Sequence, residues 1–246
     1  MLMPLRDENP YVRTPVATIA LIAANLLAWA LLQGFGTPVG LGNSICNFGF
    51  IPAEVFPPGG IGANYTGAQV CPPDTSIGYP TLFSSMFMHA DWLHLLGNMW
   101  FLWIFGDNVE DAMGPGRFVV FYLLCGLAAA GAQAASDLAS QIPMVGASGA
   151  VGGVMGAYVV LYPRARILSL FIVFTVSIPA FVMLGYWVLI QILGSLQPSS
   201  NGGVAFWAHI GGFVAGLALV FVFRRSEYVQ EHLAQPRRDT ARYHLF

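Results

Sequence analysis

Apolar residues in this chain come in long unbroken runs, and the charges and Gly/Pro clusters are confined to the segments between them. A bilayer core about 30 Å thick needs roughly 17 to 25 mostly apolar residues per crossing helix. Six runs approach that length: Val16–Gln33, Met86–Phe105, Phe118–Ala135, Ser148–Tyr162, Pro179–Leu196 and Val204–Phe223. The fourth is short, so it is expected to tilt, sit deep or be shielded by neighbours, which makes it a candidate for the functional centre. The fifth ends a longer apolar region, Ile167–Leu196, interrupted by Pro179 and Gly185. The pattern predicts an all-α polytopic membrane protein of six transmembrane helices, with a long outer loop between the first and second. It divides the chain into an N-terminal tail over 1–15, a membrane domain over 16–223 and a C-terminal tail over 224–246.

Composition strengthens the membrane reading. Only 9% of the 246 residues are charged, 56% are hydrophobic and the mean hydropathy is +0.65, whereas a typical soluble domain is about 25% charged. Disorder and coiled coils are excluded by the same figures. A nucleic-acid binder is excluded by a net charge of −2.

The basic residues, all arginine, orient the helices. Arg6, Arg13, Arg117, Arg164, Arg166, Arg224, Arg225, Arg237, Arg238 and Arg242 lie in the two tails or in the turns after the second and fourth runs. The loops Gly34–Ser85, Ser136–Ala147 and Gln197–Gly203 hold none. The positive-inside rule then places both termini in the cytoplasm and these three loops outside. The first run ends near Ala28-Trp29-Ala30, as a secretory signal might be imagined to, but it is longer than a signal core and the topology closes with it retained. Asp7 and Glu8 speak against a transit peptide, and a prokaryotic plasma membrane is the expected location.

The segment 34–84 is rich in Gly and Pro and reads as an ordered outer loop, of a length that is often functional. Cys46 and Cys71 lie in it, on the oxidising face. The residues leave open whether they are paired; a disulfide would contribute about 3 kcal/mol. Cys125, inside the third run, reads as a small packing residue.

Polar side chains inside a span are expensive and are functional candidates by default. Three groups stand out: His89, His94 and Asn98 in the second run, Gly146-Ala147-Ser148-Gly149 opening the fourth, and His209 in the sixth. All belong to the outer ends of their helices. His94 and Asn98 share a helix face, as do Ser148, Gly152 and Gly156. Ala208, Gly212 and Gly216 form a small-residue stripe beside His209, of the kind that lets helix backbones approach closely. A Gly-rich fourth helix against a Gly-rich sixth would bring Ser148 and His209 within hydrogen-bond reach, the geometry of a serine activated by a histidine base. Taken singly, Ser148 reads as a residue back-bonded to its own helix, and His209, His94 and Asn98 read as interhelical ties. Their joint placement at matched depth, with glycines around them, favours chemistry.

These residues carry a resemblance to the rhomboid family of intramembrane serine proteases. Met88-His89-Ala90-Asp91-Trp92-Leu93-His94-Leu95-Leu96-Gly97-Asn98 resembles the family's His-x-x-x-Asn helix. Gly146-Ala147-Ser148-Gly149 resembles its nucleophile turn, and Ala208-His209-x-x-Gly212-x-x-x-Gly216 its base-bearing helix. Glu110-x-x-x-Gly114 with Arg117 resembles the turn after the second span. The resemblance implies a Ser148–His209 dyad and a rhomboid-like six-helix bundle. It implies an oxyanion hole made by the Ser148 backbone N–H with the side chains of Asn98 and His94. His89, Gly146, Gly149, Gly212 and Gly216 then act in support. Two features depart from the family pattern. Position 152 is Gly where many members carry an aromatic residue stacked on the histidine, so His209 must be braced otherwise, and the outer loop lacks a Trp-Arg pair. Asp91 belongs to a different helix from His209 and does not complete a triad with it.

The expected activity is hydrolysis of a peptide bond near the outer end of the transmembrane segment of single-pass substrates, where residues are small and helix propensity weak. The substrate would arrive sideways from lipid, with the fifth apolar region and the second span as a gate. No metal or other cofactor is expected, since there is no HExxH helix, P-loop or dinucleotide turn. The partners are transmembrane substrates and lipid; the residues do not give an oligomeric state. A catalytically inactive scaffold that holds transmembrane clients is the alternative, opposed by the presence of both Ser148 and His209. A transporter is a weaker one, since no motif repeats.

Overall fold

A computed structural model of the chain describes residues 2–56, 71, 77–196 and 204–234. Gln197–Gly203, Arg237, Arg238, Arg242 and most of the second half of the outer loop lie outside the described residues.

In chain order the elements are strand β1 (Leu2–Asp7), helix α1 (Val16–Leu31), α2 (Pro38–Phe48), the short α3 (Pro52–Val55) and α4 (Thr81–Ser84), α5 (Trp92–Met113), α6 (Pro115–Ser136) and α7 (Ser148–Leu161). Strands β2 (Arg166–Phe171) and β3 (Phe174–Pro179) follow, then α8 (Ala180–Ser195), α9 (Phe206–Phe223) and α10 (Ser226–Leu233). The chain is predominantly helical. Two helices, α6 and α9, are long and apolar enough by themselves to cross a bilayer, and α1, α7 and α8 are apolar but shorter.

The second helix is displaced from the predicted run. The apolar stretch opens at Met86, yet α5 starts at Trp92, because the Asp91 carboxylate accepts from the His94 backbone N–H at 2.8 Å and caps the helix. His89 therefore precedes the helix. At the other end α5 continues two turns past Phe105, through Asp107, Asn108, Glu110 and Asp111, before Gly114 at φ +80° breaks it and Pro115 opens α6. A hydropathy scan stops where charge begins, but these polar residues are paired, so the helix can bury them.

The expectation of an all-α protein is corrected by a sheet of order β1-β2-β3, antiparallel throughout. Leu2 pairs with Phe171 and Asp7 with Ile167; Arg166 pairs with Pro179 and Phe171 with Phe174. The run from Ile167 to Ile178 was assigned to the fifth apolar region, but it is rich in β-branched and aromatic residues and folds as a hairpin. Apolarity alone does not separate a buried helix from a strand. The N-terminal residues thus form an edge strand, with the Pro4 carbonyl accepting from Trp100 Nε1 of α5 at 2.8 Å.

The centre of the bundle is α7, whose residues from Gly149 to Tyr158 are all buried. It packs on α9 through glycines. A Cβ at Gly212 would overlap the Gly149 carbonyl, one at Gly216 the Gly153 carbonyl and one at Gly156 the Phe213 carbonyl. The backbones touch because no side chain stands between them. Phe105, Phe118, Phe121, Tyr122, Met155 and Tyr158 fill the rest of the core. The outer loop is tied by a disulfide between Cys46 and Cys71. Among the described residues after Arg224, α10 docks on α5, with His232 buried against Asp111 at 2.9 Å and stacked on Tyr162.

Candidate active site

Ser148 opens α7. The Gly146 backbone has φ +125°, a conformation that favours glycine. A side chain there would also strike the His94 ring, since a Cβ would lie 2.7 Å from its Cε1 and Nε2. The Gly146 N–H donates to the Ser85 carbonyl at 2.9 Å, which pins the turn to the segment before α5. Ala147 offers no side-chain cap, so the first backbone N–H groups of α7, that of Ser148 included, have no partner within the helix and give its N-terminus a positive end.

The glycine contacts between α7 and α9 then fix the distance that matters. His209 Nε2 lies 2.7 Å from Ser148 Oγ. The other ring nitrogen, Nδ1, lies 2.7 Å from Gln191 Oε1 of α8. Trp187, one turn before Gln191, tilts over the His209 ring with centroids 5.8 Å apart. Gly152 leaves room for it: a Cβ there would stand 3.6 Å from Trp187 Cη2 and 3.0 Å from the His209 carbonyl. The histidine is thus held from α8 and not from position 152.

In α5, Asn98 is buried and its side-chain Nδ2 has no hydrogen-bond partner among the described residues. A buried donor left unpaired costs about 1 to 3 kcal/mol, and such groups call for an explanation such as a catalytic role. His94, one helical turn before Asn98, lies against Gly146. His89 is fully buried and meets His94 edge to face at 5.2 Å. Its backbone is clamped by the buried Gln33 amide, which accepts from the His89 N–H at 2.8 Å and donates to its carbonyl at 2.7 Å. Asp91 is used as the cap of α5 and has no contact with His209.

A small cavity of about 10 Å³, room for about one water molecule, adjoins Ser148. Its walls are largely apolar, among them Met86, Gly126, Ala129, Met144 and Ala208. No cluster among the described residues could hold a metal ion.

The sequence reasoning missed Gln191 and Trp187. The signal was present: Gln191 is an amide in the otherwise apolar helix Ala180–Ser195, and Trp187 stands four residues before it, on the same face.

Comparison with known proteins identifies the family. A family model described as the Rhomboid domain matches residues 78–226, a segment that contains all of the residues just described except Gln33. Rhomboid protein 1, mitochondrial, of Saccharomyces cerevisiae is 31% identical over 147 residues, covering 56% of this chain and 40% of its own length. Rhomboid protease GluP of Bacillus subtilis is 32% identical over 137 residues, covering 55% and 24%. RHOMBOID-like protein 2 of Arabidopsis thaliana is 34% identical over 142 residues, covering 57% and 41%. The chain spans less than half the length of these three relatives. Relatives named as mitochondrial or chloroplastic stand beside a bacterial one, so the expected prokaryotic plasma membrane finds no support in them. With the matched segment filling more than half of its length, the chain belongs to the rhomboid family.

Proposed function

We propose that this chain is an intramembrane serine endopeptidase that cuts membrane-protein substrates near the outer end of a transmembrane segment. The observation that carries the reading is the 2.7 Å contact between His209 Nε2 and Ser148 Oγ, beside a small cavity at an uncapped helix N-terminus. Six helices, α1 and α5 to α9, cross the bilayer in this reading, with both termini cytoplasmic.

Ser148 Oγ attacks the substrate carbonyl while His209 Nε2 takes its proton. The carbonyl oxygen becomes an oxyanion, met by the Ser148 backbone N–H, the unpaired Asn98 Nδ2 and His94. These donors stand ready before reaction, and in a water-poor site they act more strongly than in solvent. The C–N bond breaks as His209 returns the proton to the leaving amine, which leaves an acyl-enzyme ester. Water from the outer face then hydrolyses the ester, with His209 again as base. A helical segment has its carbonyls satisfied internally, so cleavage favours a stretch that unwinds easily.

The substrate reaches the site from lipid between α5 and α8. Crosslinking these helices is expected to suppress cleavage of a transmembrane substrate, and unchanged cleavage by the locked protein would argue against that route. The activity itself is tested by labelling the detergent-purified protein with a fluorophosphonate probe. Labelling that Ser148→Ala and His209→Ala both abolish is the expected result; a folded wild-type protein that takes no label is a client-holding scaffold instead.

A further inference from the structure

Gln191 is an amide in the middle of an apolar helix and is itself buried. Burying an amide costs free energy unless its groups are bonded, and both of its groups are placed. Nε2 donates to the Trp187 carbonyl one turn earlier at 3.3 Å, which leaves Oε1 as the atom turned to His209 Nδ1 at 2.7 Å. An amide oxygen only accepts, so the shared proton belongs to His209 Nδ1. The ring then carries no proton on Nε2, and this is the one tautomer of neutral imidazole that can accept from Ser148 Oγ.

We propose that Gln191 is the positioning residue of the base: it fixes the tautomer and the ring plane of His209, with Trp187 covering the ring face. This rests on the protease reading above and adds a third member to the dyad, supplied from α8. Its chemistry is distinct from that of a carboxylate. A neutral acceptor holds the imidazole without drawing it toward the charged form, which suits a site where burial already opposes charge. The groups facing His209 are Ser148 from α7, Trp187 and Gln191 from α8, with His94 of α5 nearby; no carboxylate is among them. Because the brace and the ring cover both belong to α8, the base is in its working orientation only while α8 is seated against α9.

The test compares wild type, Gln191→Leu, Gln191→Glu and Ser148→Ala in detergent. It measures the second-order rate of fluorophosphonate labelling, kcat and KM for a transmembrane substrate, and the pH profile of each. Leucine fills the same space without an acceptor, and is expected to lower the labelling rate and kcat about 10- to 100-fold with KM within about twofold of wild type. Glutamate keeps an acceptor, so labelling persists at high pH, and its charge moves the acidic limb of the profile up by about 1 unit or more. A merely structural tie between α8 and α9 would be served by glutamate with no displacement of the profile. If Gln191→Leu unfolds, the glutamate profile alone decides. A labelled wild type with Gln191→Leu at the same rate, or Gln191→Glu with a superimposable profile, overturns the positioning role and leaves the protease reading intact. A wild type that labels no better than Ser148→Ala overturns both.

Discussion

Gly212 of α9 lies directly on the carbonyl of Gly149 of α7, with no room for a single added carbon. The contact sits one turn from His209 and next to Ser148, so the separation of the two helices sets the separation of nucleophile and base. Replacing Gly212 with Ala must push the helices apart. Overpacking of this kind costs about 1 to 3 kcal/mol, and a shift of about 1 Å in a reacting pair costs about 100-fold in rate. Gly212→Ala is therefore expected to lower the melting temperature in detergent and to lower fluorophosphonate labelling by about that factor. Labelling at the wild-type rate would mean that the α7–α9 contact does not set the dyad.

In the proposed mechanism Asn98 belongs to the oxyanion hole and not to the dyad. Its Nδ2 is buried without a partner among the described residues, so Asn98→Ala removes a group that stabilises nothing in the resting protein. We expect kcat to fall about 100-fold or more with little change in KM, and stability to stay level or rise, because an unsatisfied buried donor has been removed. Measured together, kcat and melting temperature distinguish this from a structural asparagine, whose loss would lower both.

Ser148, His209, His94 and Asn98 were legible in the sequence because each is a polar group where polarity is expensive, and the structure brings Ser148 to His209 and sets His94 against the Gly146 turn. What was not legible has definite physical causes. Gln191 lies on a helix whose apolar character drew attention to gating instead. The β2–β3 hairpin and an apolar helix look alike to a hydropathy sum, and only the β-branched content of Ile167–Ile178 distinguishes them. The last two turns of α5 fall outside the apolar run because Asp107, Asn108, Glu110 and Asp111 are charged or polar, although Asn108, Glu110 and Asp111 find partners among residues 7–18 and in α10, 92 to 121 positions away in sequence.

Asp7 gives the N-terminal strand a pH dependence. Its carboxylate accepts from Tyr158 Oη at 2.7 Å and from Asn108 Nδ2 at 3.0 Å. Burial, with Asp107 nearby, still holds it well above the usual carboxylate range. A carboxyl whose folded pKa is raised contributes stability that is full below its unfolded value and is lost as pH rises through the folded value. Asp7→Asn removes this dependence. The melting temperature of Asp7→Asn minus that of wild type is expected to be larger at pH 8 than at pH 5; an equal difference at both would show that the charge of Asp7 is well solvated.

The Cys46–Cys71 disulfide closes a loop of 25 residues in sequence. Removing such a link costs about 3 kcal/mol. Cys46→Ser with Cys71→Ser is expected to lower the melting temperature by several degrees and to make the outer loop more sensitive to protease, with the labelling rate changed less than twofold, because the loop is also held by the Phe50–Met144 backbone pair.

Glu110 shows how α5 holds the first helix. It is buried at 3% exposure, and its carboxylate accepts from the Ala17 and Thr18 backbone N–H groups at 2.9 and 2.7 Å and from Thr18 Oγ1 at 2.8 Å. Pro15 precedes α1 and provides no side-chain cap, so a carboxylate from α5 does the work of an N-cap, with its charge at the positive end of the helix. Glu110→Ala leaves three donors without a partner in a dry site. Each orphaned donor costs about 1 to 3 kcal/mol, so a loss of about 3 kcal/mol or more is expected, felt first as α1 detaching from α5. Glu110→Gln keeps one acceptor oxygen and should recover part of it. Hydrogen exchange at Ala17 and Thr18 reads the local effect: both amides should exchange faster in Glu110→Ala while those of α7 do not. Uniform acceleration across the bundle would instead make Glu110 a support of the whole fold.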